Sequence, residues 1–207
     1  MNRFDNYSAL RANNIQVFDD FISSKKCTEI LYLISESAWV PATVGRLSGR
    51  HKYQQFYTSA RTNWTLHSGN FSNDLHKKVK WIEDKIVVKT NLNVNRLEDW
   101  QISKFEYGQE FEFHNDCGCW SQDAAGEREK TILLYLTTPA KGGETCFRAL
   151  NLLVRAVQGR LVVWDNLLSN GHCNYSLIHG ALPIRQGIKV TLNSWVRQAD
   201  FRRRKGQ

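Results

Sequence analysis

From residue 97 onward the chain is cut into short apolar stretches by Gly, Asn and charged turns, and this texture constrains the fold more than any other feature. Trp100–Tyr107, Thr131–Thr138, Glu144–Ala149, Arg160–Trp164 and Ile188–Val196 are each of strand length. The longest apolar run, Ile132–Leu136, is far shorter than the roughly 18 residues of a membrane span. Several short strands at such intervals, separated by turn residues, point to an all-β sandwich or barrel.

Upstream the periodicity changes. Residues 15–19 read as a short strand. Ser23 or Ser24 then caps a helix whose apolar positions Cys27, Ile30, Leu31 and Ile34 keep helical spacing. Ser72 or Asn73 opens a second helix, with Leu75, Val79, Ile82 and Ile86 on one face. Residues 40–70 between them are polar, turn-rich and aromatic. The expected organisation is a mainly β fold with flanking helices in one domain over residues 1–207. Residues 1–96 form a helical buttress and lid segments, 97–198 the β core, and 199–207 a solvated basic tail carrying Arg202, Arg203, Arg204 and Lys205.

Composition narrows the function classes. With 42% hydrophobic and 12% aromatic residues in 207, the chain can bury a core without staples, which excludes wholesale disorder. A net charge of +8 is compatible with nucleic acid, an anionic surface, an acidic substrate or a basic tail. No secretory signal is read at the N-terminus, so the expected location is cytoplasmic. The five cysteines (Cys27, Cys117, Cys119, Cys146, Cys173) are odd in number and irregularly spaced, so reduced thiols are expected. Cys117-Gly118-Cys119 lacks the second close pair that a structural zinc site needs.

The chemistry-bearing constellation starts at Phe113-His114-Asn115-Asp116. Residues two apart on a strand share a face, so His114 and Asp116 converge on one point. His179, just before the last strand, is the candidate third ligand. Two histidines and one carboxylate form the facial set of non-haem Fe(II) oxygenases. Lys189 lies ten residues further, on a strand where Ile188 and Val190 face the other way. A lysine directed into a barrel is costly unless it meets an anion, and the dicarboxylate 2-oxoglutarate supplies one.

At this point the sequence resembles the prolyl 4-hydroxylase branch of the Fe(II)/2-oxoglutarate-dependent dioxygenases. Val17-Phe18-Asp19-Asp20-Phe21 resembles the family's opening strand, and Arg61-Thr62 its short Arg-Thr/Ser element. Gly108-Gln109-Glu110-Phe111 leads into His114-Asn115-Asp116 as the family's Gly-Gln-x-Tyr-x-x-His-x-Asp does. Arg128, Thr131 and Tyr135-Leu136 match its next strand, and Gly142-Gly143-Glu144-Thr145 its Gly-Gly-Glu-Thr turn. Gly159-Arg160, His179-Gly180, Pro183, Gly187, Lys189 and Trp195 close the pattern.

The resemblance implies a double-stranded β-helix, a jelly-roll or cupin-like core with the N-terminal helices packed on one sheet. It implies that His114, Asp116 and His179 hold Fe(II), and that 2-oxoglutarate chelates the metal and pairs its far carboxylate with Lys189. O2 is the second cosubstrate and ascorbate a candidate reductant. His172 is the rival distal ligand, set aside because the Gly-x-x-Pro element and the lysine spacing belong to His179. Thr145 is a pocket residue, and Trp195 is either core or a wall over the cosubstrate. Gly142-Gly143 reads as a tight turn.

The pattern breaks in two places. The family's Tyr nine residues before the first ligand is Phe105 here, with Tyr107, two residues on, as the candidate replacement; the Tyr three before it is Phe111. Asp116 is retained, whereas halogenases of this superfamily lack that carboxylate. The expected activity is hydroxylation of an unactivated C–H bond, first of a prolyl or other residue in a peptide. Arg61 and Arg128 then lie on the substrate side, or else form ordinary salt bridges. The alternative is a free amino acid or small metabolite, with residues 40–70 as the lid that chooses. Nucleic-acid demethylation ranks lower, because the anion-binding position is Lys189 and the next strand carries no paired arginines.

Overall fold

A computed structural model describes residues 3–48 and 52–202. In chain order its helices are α1 (Tyr7–Ala12), α2 (Ser24–Leu33) and α3 (Asn73–Thr90). The strands are β1 (Ile15–Phe18), β2 (Val40–Pro41), β3 (Val44–Ser48), β4 (Lys52–Phe56), β5 (Trp64–His67), β6 (Gln101–Phe105), β7 (Phe111–His114) and β8 (Arg128–Tyr135). They continue with β9 (Lys141–Gly142), β10 (Thr145–Phe147), β11 (Leu152–Val154), β12 (Leu161–Asp165), β13 (His179–Ala181), β14 (Ile184–Gln186) and β15 (Lys189–Arg197). A seven-stranded sheet in the order β1-β12-β8-β15-β6-β5-β2 faces a four-stranded sheet in the order β11-β10-β13-β7. This is the expected jelly roll.

Strand alternation separates a helix-facing side from a barrel-facing side. Ile132, Leu134 and Leu136, with Val190, Leu192, Leu161 and Val163, turn outward and bury against Cys27, Ile30, Leu75, Val79, Ile82 and Ile86 of α2 and α3. Each fully buried aliphatic side chain contributes roughly 1.5–3 kcal/mol, so this seam fixes the large sheet. The intervening residues Tyr135, Val162 and Trp164 turn inward and pack with Phe147, Leu152 and Val154 of the small sheet. Ser23 caps α2 by accepting from Lys26 N, and Ser72 caps α3 by accepting from Leu75 N.

The N-terminal part does more than buttress. β1, β2 and β5 join the large sheet, so its strands cross the line drawn at residue 96. β3 and β4 form a hairpin paired with no other strand among the described residues. α1 buries only Leu10 and is too short for a periodic signal. Arg202 does not swing free: it is bidentate on Glu83 of α3 at 2.6 and 2.9 Å, and its Nε donates to Leu97 O. Arg203, Arg204 and Lys205 lie outside the described residues.

Candidate active site

Register brings the candidate metal ligands together. β13 runs antiparallel to β7 with His179 opposite His114, and Asp116 follows where β7 ends. A β-carbon on Gly180 would lie 2.9 Å from Phe111 O, so the glycine permits this close pairing. One ligand atom each from His114, Asp116 and His179 lies within 4.8 Å of the others. His114 Nε2 is 3.7 Å from Asp116 Oδ1, and His179 Nε2 is 3.5 Å from Asp116 Oδ2.

Each Nδ1 faces a backbone carbonyl, Glu112 O at 2.8 Å and Leu177 O at 3.0 Å. Both Nδ1 atoms therefore carry the proton and leave the Nε2 lone pairs for the shared point. Burial, followed by the neighbouring His179, pushes His114 well below the usual imidazole range, so it stays a neutral donor. Burial alone would raise Asp116, but His179, His114, Arg128 and the Thr131 hydroxyl outweigh it and hold the carboxyl ionised. His172 is exposed and stands apart from this group.

Behind the ligands lies a narrow cavity of about 80 Å³ with Lys189 in its wall. Lys189 is 2% exposed, and no carboxylate of the described residues stands within 4.0 Å of Nζ. Burial brings its ammonium down to about 7, opposed by the Glu144 charge. The indole N–H groups of Trp164 and Trp195, both in this wall, are buried without an acceptor. An unpaired cation, two orphaned donors and a converging His-Asp-His set fit a metal together with an acceptor-rich dianion. Gly142 has φ +78, and a β-carbon there would collide with the Pro183 carbonyl, so the Gly-Gly turn is structural.

Tyr107 corrects the expectation that it supplies the missing phenol. β6 ends at Phe105 and the chain turns at Gly108 with φ 76, so strand alternation stops before Tyr107, which is 81% exposed. Phe105 lines the cavity, its ring 5.1 Å from Lys189 Nζ. Thr145, in the same cavity wall as Lys189, has its Oγ1 2.6 Å from the hydroxyl of buried Tyr135. Burial keeps that phenol protonated by raising it further. Tyr135 belongs to a strand motif in the sequence, and the pairing of β8 with its neighbours directs its hydroxyl to Thr145. Tyr107→Phe should leave the KM for 2-oxoglutarate within about twofold. Thr145→Val should raise it about tenfold or more, the loss of one hydrogen bond to a charged group; steady-state kinetics checks both.

The ligands open outward into a cleft of about 430 Å³. Arg61 lines both spaces; it donates from Nη1 to Thr43 O (2.8 Å) and stacks 4.7 Å over Phe111, which stacks 3.7 Å on His114. Arg128 lines the cleft as half of a bidentate pair with Glu98 at 2.8 and 2.7 Å. Its guanidinium lies 3.6 Å over Trp195 and 4.7 Å over Trp120. Trp195 is thus a wall of both spaces. Cys117 and Cys173 form a disulfide, against the expectation of reduced thiols. Fifty-six residues separate them, and only the return of the β12–β13 loop to Asp116 brings them together. Cys27, Cys119 and Cys146 are free.

The fold and site together define an iron- and 2-oxoglutarate-dependent oxygenase. The family model for the 2OG-Fe(II) oxygenase superfamily matches residues 100–197, and the chain is similar to prolyl 4-hydroxylases over most of its length. It is 28% identical to a probable prolyl 4-hydroxylase of Arabidopsis thaliana over 90% of this chain and 68% of that protein. It is 32% identical to prolyl 4-hydroxylase subunit alpha-1 of Gallus gallus over 60% of this chain and 26% of that subunit.

Solved structures repeat the fold. The viral collagen prolyl hydroxylase of Paramecium Bursaria Chlorella virus-1, in its 2OG complex, aligns with a TM-score of 0.63 at 20% identity, covering 90% of this chain and 97% of that one. A prolyl hydroxylase of Trichoplax adhaerens, in complex with a hypoxia inducible factor peptide, aligns with a TM-score of 0.66 at 14% identity over 93% and 87%.

Proposed function

We propose that this enzyme hydroxylates proline within a peptide or protein. The observation that carries the reading is the cleft outside the metal ligands. Its walls include the aromatic rings of Trp100, Phe111, Trp120, Trp195 and Phe201 beside polar and charged side chains such as Arg61 and Asp99, and Arg128 is already committed to Glu98. A compact, uncharged pyrrolidine within a chain suits aromatic walls. A free amino acid brings a carboxylate and an ammonium that must each be paired. The β3–β4 hairpin lines the cleft through Val44, Gly45 and Gln55, and so stands where a peptide would pass. The relatives named prolyl 4-hydroxylase support the same choice.

His114, Asp116 and His179 would hold Fe(II), and Lys189 with Thr145 would take the far carboxylate of 2-oxoglutarate. With these bound and O2 admitted, the centre supplies oxidative decarboxylation and the hydroxylation of an unactivated C–H bond. The chain's own work is positional. The two Nδ1–H bonds fix the imidazole faces, Phe111 backs His114, and Trp164 meets the His179 ring edge-on at 4.7 Å. Burial of Lys189 and the surrounding rings keep water from the cosubstrate.

Succinate release measured with proline-rich peptides, free amino acids and methylated oligonucleotides tests the proposal. Peptides should stimulate turnover at least tenfold over the uncoupled rate. Stimulation by a free amino acid or an oligonucleotide alone would overturn it.

A further inference from the structure

Asp116 poses a problem of symmetry. Its two oxygens are chemically equal, and each faces one histidine, Oδ1 towards His114 and Oδ2 towards His179. Something must distinguish them if one is to be presented to a metal. Thr131 Oγ1, 2.6 Å from Oδ2, does so. A threonine hydroxyl, however, has one hydrogen and two lone pairs, and can rotate to give or to receive.

We infer that Asn166 is a positioning residue for Asp116, acting through the Thr131 hydroxyl. Asn166 Nδ2 lies 2.8 Å from Thr131 Oγ1. An ionised carboxylate only accepts, so the single hydroxyl hydrogen belongs to Asp116. The Asn166 atom facing Oγ1 must then be its donor. The chain of bonds runs one way, Asn166 to Thr131 to Asp116. It occupies Oδ2 and turns Oδ1 towards the open side.

The geometry around Asn166 is that of a fixed support. The residue is 3% and Thr131 4% exposed, which shields the bonds from water. Asn166 follows β12 directly, where Trp164 is registered against Thr131. Its own N–H donates to Glu129 O at 2.7 Å, and its carbonyl accepts from Asn174 N at 2.8 Å. Asn174 adjoins Cys173, whose disulfide partner Cys117 adjoins Asp116. The three segments that must agree on the position of the carboxylate therefore meet at this one residue, whose backbone fixes the place from which its side chain reaches Thr131. A buried amide kept only to fill space would be more costly than an apolar group of the same shape.

The inference rests on the metal site of the function proposed above and is independent of the choice of substrate. The test is anaerobic titration of the metal-free protein with Co(II), read by its visible d–d absorption, beside thermal unfolding of each variant. Wild-type binding establishes the site, and failure there would sink the metal reading itself. Asn166→Leu and Asn166→Ala should both weaken Co(II) binding about 10- to 100-fold, the usual effect of losing an outer-shell partner. In a Thr131→Val background the same substitutions should add less than twofold, because the relay is already cut.

A residue that only fills space behaves differently. Asn166→Leu would then bind like wild type, or affinity losses would follow the loss of stability and multiply undiminished in the Thr131→Val background. Either result overturns the inference. If Asn166→Ala does not fold, the cycle between Asn166→Leu and Thr131→Val decides alone.

Discussion

Lys189→Met should abolish 2-oxoglutarate binding and at the same time make the ligand-free protein more stable. The lysine sits on β15 with its ammonium 5.1 Å from the ring of Phe105 and 5.5 Å from that of Tyr135, with no carboxylate of the described residues in reach. Such a charge is held at a cost, and the cost appears in its titration. Its folded value of about 7 lies below the ordinary 10.5. Between pH 7 and 10.5 the unfolded chain binds the extra proton, so stability rises with pH across that window. Below pH 7 the ammonium is buried at full cost.

Methionine fills the same volume without the charge, and the gain is about 1–4 kcal/mol at neutral pH. At roughly 2–4 °C per kcal/mol for a chain of this size, the melting temperature rises by several degrees. Wild type should be stabilised further by 2-oxoglutarate, and less so as pH rises above 7 and the ammonium is lost. The variant should show no ligand shift at any pH. Differential scanning calorimetry from pH 6 to 9, with and without 2-oxoglutarate, measures both halves. A variant less stable than wild type, or one still stabilised by the ligand, contradicts this account of Lys189.

What the sequence revealed of this site followed from short-range geometry. Lys189 alternates with Val190 on β15, so period-two reasoning placed it, whereas Asp116 is two from His114 but lies past the end of β7, and the bend there brings it back beside His114. His179 is 65 positions from His114 and was located only by motif; the antiparallel register that sets them opposite each other is a property of the sheet. Tyr107 shows where the same reasoning stops. Alternation holds only while the strand lasts, and the strand ends at Phe105.

Thr145–Tyr135, Asn166–Thr131 and Cys117–Cys173 were not legible for a shared reason. Each joins residues that only the closed barrel brings together, through bonds that leave no periodic trace. The stretch from 40 to 70 hid its strands because β2 to β5 are short, and the β3–β4 hairpin pairs with no other strand among the described residues.

Glu98→Ala should cost about 3–5 kcal/mol, more than any exposed ion-pair deletion in the chain, because it leaves buried guanidinium charge without its carboxylate. Glu98 Oε1 accepts from Arg128 Nε at 2.8 Å and from Arg197 Nη1 at 3.0 Å, while Oε2 accepts from Arg128 Nη2 at 2.7 Å. Arg197 is 1% exposed. The two guanidiniums alternate with aromatic rings. Arg128 lies between Trp195 and Trp120, and Arg197 reaches Trp120 at 4.6 Å and Phe201 at 5.6 Å.

Glu98 neutralises the cations of this column, and the column is one wall of the cleft beside Asp116. Arg197 would keep Gly126 O and the half-exposed Asp123, but Arg128 would lose both bonds of its bidentate pair and release the rings on either side. A change in substrate KM should therefore accompany the fall in stability, while the KM for 2-oxoglutarate, which the proposed function assigns to Lys189 and Thr145, changes little. Glu98→Gln keeps the shape and one acceptor, and should fall between wild type and Glu98→Ala on both scales. Chemical denaturation beside peptide kinetics decides it. A loss under 1 kcal/mol in Glu98→Ala would mean that water or backbone carbonyls already satisfy these arginines, and that the wall stands without its carboxylate.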